Sequence, residues 1–400
     1  MHCETDLIVS NKQTDYLIDI SILLQFLRKK RQVTGIPRVV LAYIKHYAGR
    51  CQLVYYSRIL GTFVILSPEA SLQAIRWIER WDYSLYPSIM RLFLRRGKWQ
   101  FWPSKPYLNV YFIKICMRDI SSPWYFWRMQ QLGVKLVVMV HDLIPIVHPE
   151  LVSPVSTQRF TTGLIRLLDH ARGVITVSET ERKNLIQYLA GLGRTIPSII
   201  AAPLASGLVF ENLQHSMQRM VQGPYFVIVG PISDRKNHRL LFDIWSEWVD
   251  RKQKNIPKLL VLGKLHRNKE PLLTTLLQQA SLQPYVFHME LGDNALINYV
   301  SFANALLFPS FAEGYGLPLA EALTLGTPTI VNDLPVFHEI GGDIPEYISV
   351  QDKQAWAEMI LEYTKPKSTR RAQQLQRISH FVPPTWDSHF DRVDKFLTTL

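Results

Sequence analysis

Four hundred residues, 47% of them hydrophobic, suffice for two domains of ordinary size with a core in each, which excludes a disordered or fibrous chain. The formal charge of +12 arises from 45 Lys and Arg against 33 Asp and Glu, and no nucleic-acid-binding motif accompanies it, so nucleic acid is not an expected partner. Cys3, Cys51 and Cys116 are far apart and odd in number, giving neither a disulfide framework nor a metal-ligand spacing and pointing to a reducing compartment.

The start, Met1-His2-Cys3-Glu4-Thr5-Asp6, is polar and acidic, so no secretory signal is expected. Further on, short apolar runs alternate with longer amphipathic stretches, the pattern of parallel strands covered by helices. Strands are expected at Tyr16 to Ser21, Lys135 to His141, Gly173 to Ser178 and Ser198 to Leu204. Between the first two lies Val33-Thr34-Gly35-Ile36-Pro37-Arg38-Val39, a glycine loop opening a helix. Arg38 has two open readings, a phosphate contact and a structural ion pair. His141 ends an apolar strand and Asp142 follows it into a loop. Nothing places His141, Asp142, His148 and Glu150 on one helical face, so no metal site is expected there. Ser178 reads as a helix cap. The segment 205–224 lacks a clear period and is expected to link two domains, 1–204 and 225–384.

In the second half, strands are expected at Tyr225 to Gly230, Lys258 to Gly263, Val286 to Leu291, Ala305 to Ser310 and Pro328 to Asn332. After the first of these, a turn at Gly230 leads through Pro231 to the basic pair Arg235-Lys236 and a helix. After the fourth comes Phe311-Ala312-Glu313-Gly314-Tyr315-Gly316-Leu317-Pro318-Leu319-Ala320-Glu321. Gly314 and Gly316 allow backbone angles that a Cβ forbids, and Pro318 suits a helix start. The free amides of that first turn, at the positive end of the helix dipole, form a resting place for an anion such as a diphosphate. Glu313 lies ahead of the helix and Glu321 about one turn inside it, so the two face different parts of one ligand.

The Glu313-to-Glu321 stretch resembles the E-x7-E motif of retaining glycosyltransferases of GT-B architecture, more narrowly family 4 (glycosyl transferases group 1). That resemblance implies an α/β fold of two Rossmann-like doubly wound domains facing across a cleft. It places Glu313 at the donor sugar, Glu321 at the ribose hydroxyls, and the backbone of Gly314, Tyr315, Gly316 and Leu317 at sugar and phosphate oxygens. Lys236 matches the family lysine that neutralises the donor phosphates. The family arginine that often follows the glycine is replaced by Pro231, and Arg235 is expected to take over part of its task. Gly230 is the glycine of that turn. His141 matches a histidine set against the donor sugar. The loop containing Gly35 and Arg38 looks like the Thr-Gly-Ile-x-Arg-Val loop of a bacterial subset, most like mannosyltransferases of surface polysaccharide assembly that use GDP-mannose. UDP-sugars stay open as donors. The final segment 385–400, with Trp386, resembles the family's closing helix, which often crosses back to the first domain. No Asp-x-Asp occurs in the chain, and the resemblance implies that no metal is required.

The implied reaction moves a hexose from a nucleoside-diphosphate sugar to a saccharide or polyprenyl-linked saccharide acceptor. A noncatalytic nucleotide-sugar-binding scaffold of a polysaccharide assembly complex and a GT-B sugar epimerase are the alternatives. Residues 1–200 hold 26 Lys and Arg against 13 Asp and Glu, while residues 201–400 hold 19 against 20, so the whole excess belongs to the first half. Trp77, Trp81, Trp99, Trp102, Trp124 and Trp127 fall there too, among Arg76, Arg80, Arg91, Arg95, Arg96, Lys98 and Lys105. Two readings are open: a membrane-facing surface, or core tryptophans beside a solvated basic face. The expected location is the cytoplasm, with peripheral contact at the inner face of the membrane under the first reading.

Overall fold

The computed structural model describes residues 14–100, 106–120, 122–206, 217–265, 277 and 279–400. Eight strands form the first sheet: β1 (Tyr16–Asp19), β2 (Cys51–Ser57), β3 (Thr62–Leu66), β4 (Gly97–Trp99), β5 (Tyr111–Lys114), β6 (Lys135–Val140), β7 (Ala171–Thr176) and β8 (Ser198–Ala201). Their order is β4-β3-β2-β1-β5-β6-β7-β8. Six strands form the second: β9 (Tyr225–Val229), β10 (Lys258–Leu262), β11 (Val286–Met289), β12 (Ala305–Phe308), β13 (Thr329–Val331) and β14 (Glu346–Tyr347), in the order β11-β10-β9-β12-β13-β14. Each sheet is buried on both faces by helices, which is why its strands read as continuous apolar runs. In β1, Tyr16 and Ile18 enter one core and Leu17 the other; in β9, Phe226 and Ile228 enter one and Tyr225 and Val227 the other.

The expected strands all occur, each within a few residues of its expected ends. Five further strands do not stand out in the sequence. β4 and β14 have only three and two residues, too short for a recognisable run, and β3 runs antiparallel to its neighbours. β3 pairs antiparallel with β2 and with β4, giving the first sheet a hairpin edge. The second sheet is parallel throughout.

In a doubly wound sheet, ligands bind beyond the carboxyl ends of strands where the order reverses. In the second sheet that point lies between β9 and β12, where Ala305 pairs with Phe226 and Leu306 with Val227. The loops leaving these two strands carry Arg235-Lys236 and Glu313.

The final helix, Trp386–Leu397, packs on the first domain. Phe390, Val393, Phe396 and Leu397 join its core, Tyr47 donates to Asp394 at 2.6 Å, and Tyr111 donates to the Leu397 carbonyl at 2.6 Å. The tryptophans divide between the two readings. Trp77 and Trp81 pack against the first core, Trp99 is half-buried, and Trp124 and Trp127 are exposed. Trp102 and Lys105 lie outside the described residues, as do Cys3 and half of the expected linker, 207–216.

Candidate functional site

The turn after β9 is built for close approach. A Cβ on Gly263 would meet the Gly230 carbonyl oxygen at 1.8 Å, and Gly230 itself has φ +131°. The chain then forms a 3-10 turn, Asp234–Lys236, and Asn237 takes a left-handed conformation that asparagine tolerates well, capping the helix His238–Asp250. This turn sends the Lys236 side chain back beneath Gly230, where a Cβ would lie 3.2 Å from Lys236 Cε.

Lys236 Nζ lies 2.7 Å from Glu313 Oε1 and 4.4 Å from the Phe308 ring centroid. Arg235 Nη1 lies 2.8 Å from the same carboxylate oxygen and donates to the Ala312 carbonyl at 2.6 Å. The Phe311 amide in turn donates to the Arg235 carbonyl at 2.9 Å. Burial works to raise the Glu313 carboxyl, but Lys236 and then Arg235 outweigh it and hold the group below its ordinary range. Burial lowers the Lys236 ammonium, with Glu313 opposing. Two cations meet one anion, so the cluster carries an uncompensated positive charge in a poorly solvated place. Beside it starts the helix Leu317–Thr324, whose N-cap Gly316 has φ +106° and supplies no side-chain cap, leaving the first amides to a ligand.

Glu321, one turn into that helix, faces the other domain. Arg38 Nη1 lies 3.1 Å from Glu321 Oε1, and Nη2 lies 2.5 Å from Asp293 Oδ1. Arg38 Nε also donates to the Val33 carbonyl at 2.9 Å, which fixes the loop leading to Gly35, where φ is +58°. Burial, reinforced by Asp293 and opposed by Arg38, pushes the Glu321 carboxyl up to about 7. Of the two readings of Arg38, the structure shows the ion pair, and one of its partners is the second glutamate of the motif.

His141 Nε2 lies 2.8 Å from the Ile115 carbonyl, so that nitrogen carries the proton and Nδ1 is the free acceptor. Burial lowers the ring to about 4, which keeps it neutral. The His141 backbone meets the loop carrying Glu313 directly, because a Cβ on Gly314 would lie 1.9 Å from the His141 carbonyl oxygen and 2.7 Å from Asp142 Cβ. Ser178 Oγ caps the helix Glu179–Gly191 by accepting from the Glu181 amide at 3.1 Å and donates to the Gly314 carbonyl at 2.8 Å. On the rim, the Glu339 carboxylate accepts from the Glu179 and Thr180 amides at 2.6 and 2.9 Å and from the Thr180 hydroxyl at 2.9 Å, an anion at a helix N-terminus that ties the domains together.

The fold therefore gathers Glu313, Lys236 and Arg235 at one point and Arg38 and Glu321 at another, with Gly314 against His141. The Tyr315 side chain is buried in the first domain's core beside Leu317, so only its backbone faces a ligand. His148 pairs with Glu150 at 3.1 Å on the surface, apart from half-buried His141, and among the described residues no group of three His, Cys, Asp or Glu side chains converges. Sequence reasoning missed Asp293 and Glu339, which act on partners 255 and about 160 positions away and carry no local signal. It also missed Glu181, whose place in the first turn of a helix reads simply as favourable to the dipole.

Glu181 is buried, and its carboxyl is pushed up to about 8 by burial and then by Asp142. An unfolded chain releases this proton near the ordinary value of 4.5, so between pH 4.5 and 8 the folded state binds more protons and stability falls as pH rises. Glu181→Gln is expected to stabilise the protein by about 1–3 kcal/mol at pH 8 and by almost nothing at pH 4.5. Denaturant unfolding at both pH values checks this, and a pH-independent difference would mean the group is ionised in the fold.

Residues 210–376 match the family model described as glycosyl transferases group 1. Among curated relatives, the serotype-specific mannosyltransferase WbdA of Escherichia coli is 28% identical over 236 residues, which cover 55% of this chain and 29% of that protein. The O-antigen chain mannosyltransferase RfbU of Salmonella typhimurium (strain LT2) is 27% identical over 233 residues, covering 56% of this chain and 59% of the relative. The chain thus matches less than a third of WbdA and under two thirds of RfbU. Among solved structures, Anabaena HepE in complex with UDP and glucose superposes with a TM-score of 0.64 at 13% identity, over 97% of this chain and 100% of that one. These likenesses establish the expected architecture, the GT-B arrangement of two doubly wound domains.

Proposed function

Because residues 210–376 belong to the group 1 glycosyl transferases and the whole chain has the GT-B fold, we propose that it transfers a hexose, with retention, from a nucleoside-diphosphate sugar to a saccharide or lipid-linked saccharide acceptor in surface polysaccharide synthesis. The observation that carries this reading is the convergence of Lys236 and Arg235 on Glu313 beside an uncapped helix start. The similarity to WbdA and RfbU favours mannose, and GDP-mannose as donor.

In this reading the diphosphate competes with Glu313 for the two cations and takes the free amides near Gly316. Charge grows on the diphosphate as the glycosidic bond breaks, and cations already aligned in a buried site stabilise it without reorganising. Lys236 and Arg235 supply the positive charge, so no metal is required. Glu313, released toward the sugar, and Nδ1 of neutral His141 orient the hexose. Glu321 receives the ribose hydroxyls, with Arg38 opposing the burial that raises its carboxyl. The departing phosphate accepts the acceptor proton in a front-face reaction, and the protein contributes orientation. The site of action is the cytoplasmic face of the membrane, by peripheral contact; no helix among the described residues is long and apolar enough to cross a bilayer.

The test is thermal stabilisation by GDP-, UDP- and ADP-sugars without added metal, for wild type and Glu321→Ala. A ligand at a hundred times its Kd adds about 2.7 kcal/mol to the folded state. GDP-mannose is expected to raise Tm by several degrees in the wild type and little in the variant. No shift with any sugar nucleotide would overturn the donor site.

A further inference from the structure

The first domain exposes an apolar patch that the site does not use. At the β2–β3 turn, Ile59 is 95% exposed and Leu60 50%, while on the helix Pro123–Leu132 Trp124 is 63% exposed and Trp127 43%. The two elements touch, since a Cβ on Gly61 would lie 3.7 Å from Trp124 Cβ, and the two indoles meet edge to face at 6.0 Å. The patch has a fixed relation to the cleft. β1, β2, β5 and β6 run parallel, so the turn after β2 and the segment after β5 lie at the same end of the sheet as His141 after β6.

The charged residues of its two segments are mostly basic. Segments 57–62 and 115–132 contain Arg58, Arg118 and Arg128 and a single carboxylate, Asp119. That carboxylate is buried and paired with both Arg58 and Arg118, and the Arg128 guanidinium lies 4.5 Å from the Trp127 ring centroid. Tryptophan prefers the boundary between water and hydrocarbon, and arginine pairs with phosphate there. A protein partner would need a matching acidic ring, whereas an anionic bilayer offers that charge without shape complementarity.

We propose that the Arg58–Gly61 turn and the first turns of helix Pro123–Leu132 dock on an anionic lipid surface, bringing the cleft end of the first domain to the bilayer. The proposal gives a location to the membrane contact of the functional reading and rests on that reading only for its purpose. Flotation with phosphatidylcholine vesicles, with and without phosphatidylglycerol, tests it. Wild type is expected to float with the anionic vesicles, to release at high salt, and to ignore the neutral ones. The Ile59→Ser/Leu60→Ser/Trp124→Ser variant is expected to lose at least about tenfold in flotation, while Leu192→Ser, at an exposed leucine outside the patch, floats as wild type. Equal flotation of the triple variant, no flotation of wild type, or a solution dimer that the triple variant disperses would overturn the docking. Nucleotide thermal shifts measured alongside separate the two readings: a retained shift without flotation sinks docking alone, and flotation without a shift supports docking while sinking the donor site.

Discussion

Lys236→Ala is expected to lower the single-turnover transfer rate by about 10²–10³-fold, the usual cost of removing one preorganised group facing developing negative charge. The lysine is only 4% exposed, its ammonium lies 2.7 Å from Glu313, and its stem packs beneath Gly230. Folding should suffer less. Stripping a buried ion of its partner costs about 3–5 kcal/mol when the other charge is abandoned, but Glu313 keeps Arg235 at 2.8 Å. A Tm loss of a few degrees is therefore the expected outcome, and Lys236→Met, which keeps the stem beneath Gly230, should recover most of the stability and none of the rate. Activity within tenfold of wild type in either variant would remove Lys236 from the phosphate site.

Gly314→Ala is the second substitution with a large expected effect. Its Cβ would lie 1.9 Å from the His141 carbonyl oxygen, a distance that no side-chain rotation relieves because the obstacle is backbone. The donor loop must then move by an ångström or more, straining the Ser178 to Gly314 hydrogen bond and shifting Glu313 away from Lys236 and Arg235. Misplacing reacting groups by about 1 Å costs on the order of 10²-fold. Transfer should fall by at least that factor with both domains still folded, as judged by circular dichroism. Gly191→Ala is the matched control, because nothing lies within 4 Å of the added methyl, and it is expected to be neutral. A Gly314→Ala enzyme with wild-type kinetics would mean that the domains are not closed this tightly when the reaction occurs.

Much of the site is legible in local sequence because its parts are strand-turn-helix units. Gly316 announces a turn with positive φ, whereas Gly314, expected to do the same, lacks one and is required by its close approach to the His141 backbone; Pro318 announces a helix start, and Arg235-Lys236 and Glu313 sit at fixed offsets from buried strands. The doubly wound sheets follow from the apolar runs for the same reason: strands covered on both faces cannot alternate in polarity. The antiparallel placement of β3 between β2 and β4 was hidden because pairing direction is set by which strands meet in space and not by a strand's own residues.

What the sequence alone determined, then, is the pair of doubly wound domains, the glycine-led helix start at Leu317 and the charged residues that flank its strand-turn-helix units, because each depends on residues close to one another in the chain. Only the tertiary structure decided which groups meet: Arg38 with Glu321 and Asp293, Glu339 with the start of helix Glu179–Gly191, and Gly314 with His141. It also sorted the tryptophans, sending Trp77 and Trp81 toward the core and Trp124 and Trp127 to the surface. The physical reason is that an ion pair or a buried contact is set by distance in space, and charges and indoles carry no mark in the chain of the partner, or the solvent, that folding will bring to them.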